Sequence, residues 1–255
     1  MLVELFGPPG AGKTTFTRAI GARLEAIGMP TAFLLSYRPA ERMGGPGDIQ
    51  VRRSATQLAT LRRLCRPAVE LLGGACRQIV HRSAAGTTGQ LLALMPPQDA
   101  FWAIRLRQYL QRLERAWQQA LGADAVVLCD QGYLQAVASL LVLAGSDRSN
   151  SVSPALALLP VADLRVRLDV PIEILTERLE RRYREQGRFE RLLELDLARN
   201  LAFVPALMCL DAALEERGLP VVRVGCSDQT EMEEEAIRVV SMIDDAWPIA
   251  RVRST

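Results

Sequence analysis

The chain has 255 residues, 49% of them apolar and 24% charged, which suits one large α/β domain with a sizeable core. Thirty-one basic residues against 29 acidic ones leave a net charge of +2, so the composition carries no electrostatic footprint for nucleic acid. The five cysteines are odd in number and form no C-x-x-C pair, which argues against a disulfide framework or a zinc site and for reduced thiols.

The N-terminus has no basic, apolar leader, and the apolar run 137–144 is shorter than the roughly 20 residues of a membrane span. The expectation is a cytoplasmic protein with neither a membrane nor a nucleic-acid partner. Every basic residue but one is arginine; the single lysine is Lys13.

In chain order, Leu2 to Phe6 is a predicted strand, followed by a glycine-rich turn and a helix from about Lys13 to Ile27. Gly28 and Pro30 close that helix. Thr31 to Ser36 is a second strand. The stretch from 38 to 124 reads as mostly helical: Leu58, Leu61 and Cys65 share a helical spacing, as do Leu106, Leu110, Leu113, Trp117 and Leu121. It is expected to be a helical insertion, about 54–120, packed on a single domain that spans 1–255. Ala125 to Cys129, Leu164 to Leu168 and Val221 to Val224 are the remaining strands. A last helix covers about Glu231 to Ala246, with Thr230 and Glu233 as a capping box. Strands separated by helical connections argue for a parallel sheet covered on both faces.

Gly7-Pro8-Pro9-Gly10-Ala11-Gly12-Lys13-Thr14 fits G-x-x-x-x-G-K-[ST] in full, with a strand before it and a helix after it. The residue types follow from the chemistry of a phosphate chain. Glycines let main-chain N–H groups curl round phosphate oxygens, and the helix N-terminus adds partial positive charge. Lys13 reaches the β- and γ-phosphates, Thr14 offers a hydroxyl to Mg²⁺, and Thr15 reaches toward the α-phosphate.

Asp130 stands at the C-terminal end of the third strand, where open α/β sheets bind ligands. It is a candidate to hold Mg²⁺ or to orient the acceptor; the plainer alternative is a loop or N-cap aspartate. Six arginines and five glutamates interleave between Glu177 and Glu194. Arg178 and Arg182, at i,i+4, repel each other unless an anion lies between them. That points to an arginine-rich lid over about 178–192 that closes on phosphates. The plainer alternative is a solvated helix with pairs such as Glu177–Arg181.

Taken together, these residues resemble the thymidylate kinase and deoxynucleoside kinase branch of the nucleoside monophosphate kinase-like enzymes. Gly7 to Thr15 is similar to that family's phosphate loop, and Tyr37-Arg38-Pro39 with Gly44-Gly45 to its loop after strand two. Ala103-Ile104-Arg105, Asp130-Gln131-Gly132-Tyr133 and Asp169-Val170-Pro171 followed by Arg178 and Arg182 fall in the family's order. So do Arg188-Phe189-Glu190 and Gly225-Cys226-Ser227. The resemblance implies a three-layer P-loop fold with a five-stranded parallel sheet in the order 2-3-1-4-5. It implies ATP with Mg²⁺ as donor and a small-molecule acceptor, most directly a nucleoside monophosphate. Arg38, Arg105, Asp130, Gln131, Tyr133 and Arg188 would line the acceptor side. Lys13, Arg178 and Arg182 would act on the transferring phosphate, with Cys226 near the adenine. It also implies a homodimer, for which the long helix before the third strand and the 137–144 helix are candidate faces. Gln131 departs from the pattern, standing where the family has an arginine that commonly meets an acceptor phosphate. This keeps open a nucleoside, sugar or other hydroxyl acceptor, and also a nucleotide-binding regulatory ATPase.

Overall fold

The computed structural model describes residues 1–34, 86–185 and 195–253. The end of the second predicted strand, the loop 38–48, the helical pattern at Leu58, Leu61 and Cys65, Arg38, and the lid from 186 with Arg188 lie outside the described residues.

Five strands build the sheet: β1 (Leu2–Phe6), β2 (Thr31–Leu34), β3 (Val126–Cys129), β4 (Leu164–Asp169) and β5 (Val222–Gly225). All pairings are parallel and the order is β2-β3-β1-β4-β5, as the resemblance implied. Every residue of β1 is buried. A central strand of a parallel sheet meets helices on both faces, so it reads as an almost continuous apolar run. Val3 and Leu5 face one layer, where α1 (Lys13–Ala26) contributes Phe16, Ile20 and Leu24 and α9 (Gln229–Arg253) contributes Ala236, Val239 and Ile243. Leu2 and Phe6 face the other layer, built mainly by α3 (Ala100–Leu121), α4 (Tyr133–Ala144) and α8 (Phe203–Glu216). The shorter helices are α2 (Thr87–Leu94), α5 (Val152–Leu156) and α7 (Leu197–Leu201), and α6 (Ile172–Glu185) follows β4.

The helical spacing in α3 places Leu106, Leu110, Leu113 and Trp117 in the core, as read from the sequence. Leu121 is instead exposed, because the helix ends there at Gly122. Asp99 caps its start, accepting from the Phe101 N–H at 2.7 Å. Helix α4 is consumed by its own chain: Val137, Ala138 and Leu140 are fully buried. The last helix begins two residues earlier than expected, and its cap moves with it. Asp228 accepts from the Glu231 N–H at 2.8 Å, and Glu231 accepts from the Ser227 N–H at 2.7 Å, in place of the Thr230–Glu233 pair.

The alternating arginines of β4 suggest a half-solvated strand, yet Arg165 and Arg167 are both buried. Asp211 on α8 explains Arg167, because its carboxylate pairs with Arg167 and, at 2.8 Å, with Arg223 of β5, while Arg165 donates to the Ala162 and Pro220 carbonyls at 2.9 Å and 3.0 Å. Buried charges persist only when paired in this way. Among the described residues, 197–216 is the one stretch long and apolar enough to cross a membrane. Its α8 part packs Phe203, Leu207, Leu210 and Leu214 into the core.

Candidate active site

β1 ends in the phosphate loop. Gly7 has φ of 154°, and a Cβ there would lie 2.8 Å from the Leu168 carbonyl oxygen of β4. Only glycine lets the chain turn this close to the neighbouring strand. Gly12 adopts a left-handed conformation at the start of α1 and provides no side-chain cap. A helix start with no side chain in the cap position is the kind of end that favours an anion.

Lys13 folds back over the loop. Its Nζ donates to the Gly7 carbonyl at 2.7 Å and to the Pro8 carbonyl at 2.9 Å. The loop also turns on the Ala11 N–H, which donates to the Pro8 carbonyl at 3.2 Å. Thr14, on the first turn of α1, donates through Oγ1 to Asp130 Oδ2 at 2.8 Å. Asp130 is fully buried just past β3. Thus two residues 116 positions apart, both singled out as metal-holding, meet at the C-terminal edge of the sheet. Thr15 is exposed at the mouth of the same helix end.

Helix α6 approaches from the other side. Leu175, Arg178, Leu179 and Arg182 follow i, i+3, i+4, i+7 and share one face. A Cβ on Gly10 would come within 3.2 Å of Leu175 and 3.3 Å of Leu179, so this face lies against the phosphate loop. Arg178 donates to the Ser227 carbonyl at 2.7 Å, tying the lid helix to the turn after β5. On the outer side Arg181 and Glu177 form an exposed ion pair at 3.8 Å. One face of α6 thus packs on the phosphate loop, while the outer face carries the solvated ion pair expected of a surface helix. A cavity of about 690 Å³ opens beside Ser227, lined also by Asp169, Val170, Pro171, Gly225 and Glu231.

Two sequence expectations are corrected. Tyr133 is not on the acceptor side: it is buried and packs edge-to-face on Trp117 with centroids 5.0 Å apart, and burial pushes its hydroxyl well up. Helix α4 starts at Tyr133, and the helical turn directs the ring into the core. Cys226 also points inward. Burial pushes its thiol up to about 12, so the turn's contact with the lid helix is made by Ser227. Arg105 is exposed on α3, with its guanidinium stacked over Trp102 at 4.8 Å and Phe101 at 5.4 Å.

Two residues absent from the sequence reading complete the site. Tyr109, one turn after Arg105, donates its hydroxyl to the Gln131 carbonyl at 2.8 Å and reaches the Gly132 carbonyl at 3.3 Å. Burial pushes its phenol well up, which keeps it a donor. Gln135 accepts from the Gly7 N–H at 3.2 Å, linking α4 to the phosphate loop. The helical spacing of Arg105 and Tyr109 was a usable signal for the first; nothing local marks the second.

No family model matches the chain, and a search of curated proteins finds no match. Among solved structures, it is similar to a deoxyadenosine kinase from M. mycoides with bound dATP. The TM-score is 0.51 at 12% identity, covering 94% of this chain and 99% of that one. The likeness, with the strand order, shows a P-loop kinase α/β fold.

Proposed function

We propose that the protein is an ATP-dependent phosphotransferase that moves the γ-phosphoryl group to a hydroxyl of a small molecule. The observation that carries this reading is the convergence of Lys13, the uncapped start of α1 and the Thr14–Asp130 pair around one loop.

The loop amides and Lys13 grip the β- and γ-phosphates and fix their direction. Thr14 and Asp130 supply a hydroxyl and a carboxylate oxygen, the hard donors that Mg²⁺ takes, so the pair fits that ion. Held there, Mg²⁺ would offset the negative charge of the phosphates. Arg178 and Arg182 face the loop from α6 and stabilise charge on the transferring group. Asp130, buried and held at its carboxylate by Thr14, orients the acceptor hydroxyl. Such an array works through positioning and electrostatics rather than covalent chemistry.

For the acceptor, the nucleoside monophosphate expected from the resemblance commonly meets an arginine beside Asp130. Gln131 occupies that place, its main-chain carbonyl held by Tyr109. A nucleoside acceptor fits a neutral residue there, and the structural neighbour is named as a deoxyadenosine kinase. The test is a thermal-shift panel of nucleosides, nucleoside monophosphates and sugars with ADP and Mg²⁺ present, followed by product analysis with ATP. A true acceptor raises the midpoint by mass action. Stabilisation by monophosphates alone would overturn the nucleoside choice. Hydrolysis driven only by a protein partner would favour a regulatory ATPase.

A further inference from the structure

Glu4 stands in the middle of β1 and is 2% exposed, and the scheme above gives it no task. Alternation along the strand turns it, with Leu2 and Phe6, toward the α4 layer. Its Oε1 accepts from the Leu134 N–H at 2.6 Å. Leu134 belongs to the first turn of α4, whose N-cap, Gly132, has no side chain to cap with. The missing cap is supplied from another element, at a helix end where an acceptor oxygen is favoured.

Space for this contact is created by Gly132. A Cβ at that position would lie 2.3 Å from Glu4 Oε1 and 2.5 Å from its Cδ. Glu4 is also in register with Cys129 of β3, the residue before Asp130. The carboxyl thus sits between the strand that feeds the phosphate loop and the turn that carries Asp130. The turn is also held by Tyr109 of α3, through the Gln131 carbonyl, and by the Asp130 N–H, which donates to the Leu34 carbonyl of β2 at 3.3 Å; Gln135 ties α4 to the phosphate loop.

We infer that Glu4 is a positioning residue: by capping α4 from β1 it holds Asp130 in hydrogen-bond range of Thr14. This rests on the reading of Thr14 and Asp130 as the magnesium pair. Phosphate grip by the loop amides and Lys13 does not depend on it, so the two contributions separate in a binding experiment.

ADP is titrated by calorimetry with and without Mg²⁺ into the full chain and its variants. In the unmodified protein Mg²⁺ tightens ADP binding. Glu4→Leu keeps metal-free ADP affinity within about twofold and loses most of the magnesium gain, about 10–100-fold, the usual effect of removing a residue that orients a metal ligand. Glu4→Gln, which retains an acceptor oxygen for Leu134, restores the gain. If Glu4→Leu does not fold, Gly132→Ala, which crowds the carboxyl from the opposite side, shows the same selective loss. A full magnesium gain in Glu4→Leu, or in Gly132→Ala where that variant replaces it, overturns the inference. So does a parallel fall of metal-free and magnesium-bound affinity, or a failure of Glu4→Gln to restore the gain. If the unmodified protein shows ADP binding but no magnesium gain, the Thr14–Asp130 reading itself falls and this inference with it.

Discussion

Replacing Lys13 by methionine keeps the length of the side chain and removes its charge. The ammonium lies 2.7 Å and 2.9 Å from the Gly7 and Pro8 carbonyls, at the neck of the loop, so its reach covers the space that the loop amides enclose. A hydrogen bond to a charged group contributes about 1.5–3 kcal/mol. Loss of one such bond to the phosphate chain corresponds to roughly 10–150-fold weaker binding, at about 1.4 kcal/mol per factor of ten. Gly7 and Pro8 are buried, so the two carbonyls released lose their partners, and unfolding free energy is expected to fall by about 1–3 kcal/mol. Calorimetry with ATP and Mg²⁺, with urea unfolding as the control, measures both quantities. An affinity within threefold of the unmodified protein, with the fold intact, would refute the assignment of Lys13 to the phosphates.

Other perturbations probe the surrounding elements. Asp130→Asn is expected to lower turnover far more than metal-free nucleotide affinity, measured by single-turnover transfer and calorimetry; equal losses would give it a structural role. Gly132→Ala forces a methyl to within 2.3 Å of Glu4 Oε1 and is expected to cost about 2–4 kcal/mol, from crowding and a strained Leu134 contact. A denaturation midpoint unchanged from the parent would contradict the close approach. Burial pushes the Glu4 carboxyl from 4.5 up to about 8, against the opposing effects of the Leu134 N–H and Arg165. Between those values the folded state holds a proton that the unfolded state has released. The Glu4 contribution is therefore complete below pH 4.5 and is lost as pH rises through about 8, with a slope of up to about 1.4 kcal/mol per pH unit. Glu4→Gln should flatten that slope in urea titrations from pH 5 to 9; an identical slope would place the proton elsewhere.

The phosphate loop was legible because it rests on a local signal, whereas the sheet order came from the family resemblance. Leu2 to Phe6 is apolar but for Glu4, the glycines follow, and Lys13 stands alone in an arginine-rich chain. Asp130 was legible for a similar reason, since the end of a buried strand is readable from Val126 to Cys129 alone. Side-chain direction was harder. Tyr133 lies three residues from Asp130 and looks like part of the same motif, but helix α4 begins at that residue and carries the ring into the core. Cys226 fails in the same way, one residue from the carbonyl that Arg178 uses. Glu4, Tyr109 and Gln135 left no motif because each acts on a partner brought near by strand register or helix packing. Leu134, the Gln131 carbonyl and Gly7 lie 130, 22 and 128 positions away from them. Arg167 of β4 and Arg223 of β5 depend likewise on Asp211, which lies 44 residues downstream of Arg167.

The placement of β1 bears on how the chain comes off the ribosome. The first strand occupies the centre of the sheet, yet the residues it touches at its lower edge are 124 and 161 positions later. Its loop rests on Leu168 and on Leu175 and Leu179 of the lid helix. At about 5–20 residues per second, β1 waits on the order of ten seconds or more for its second neighbour to be made. Until then at least one edge of β1 stays unpaired, and a nascent chain stopped short of α6 lacks the face that packs on the phosphate loop. Stalled-chain lengths that stop before and after residue 179 should therefore differ sharply in capture by immobilised ATP and in protease resistance of the first thirty residues.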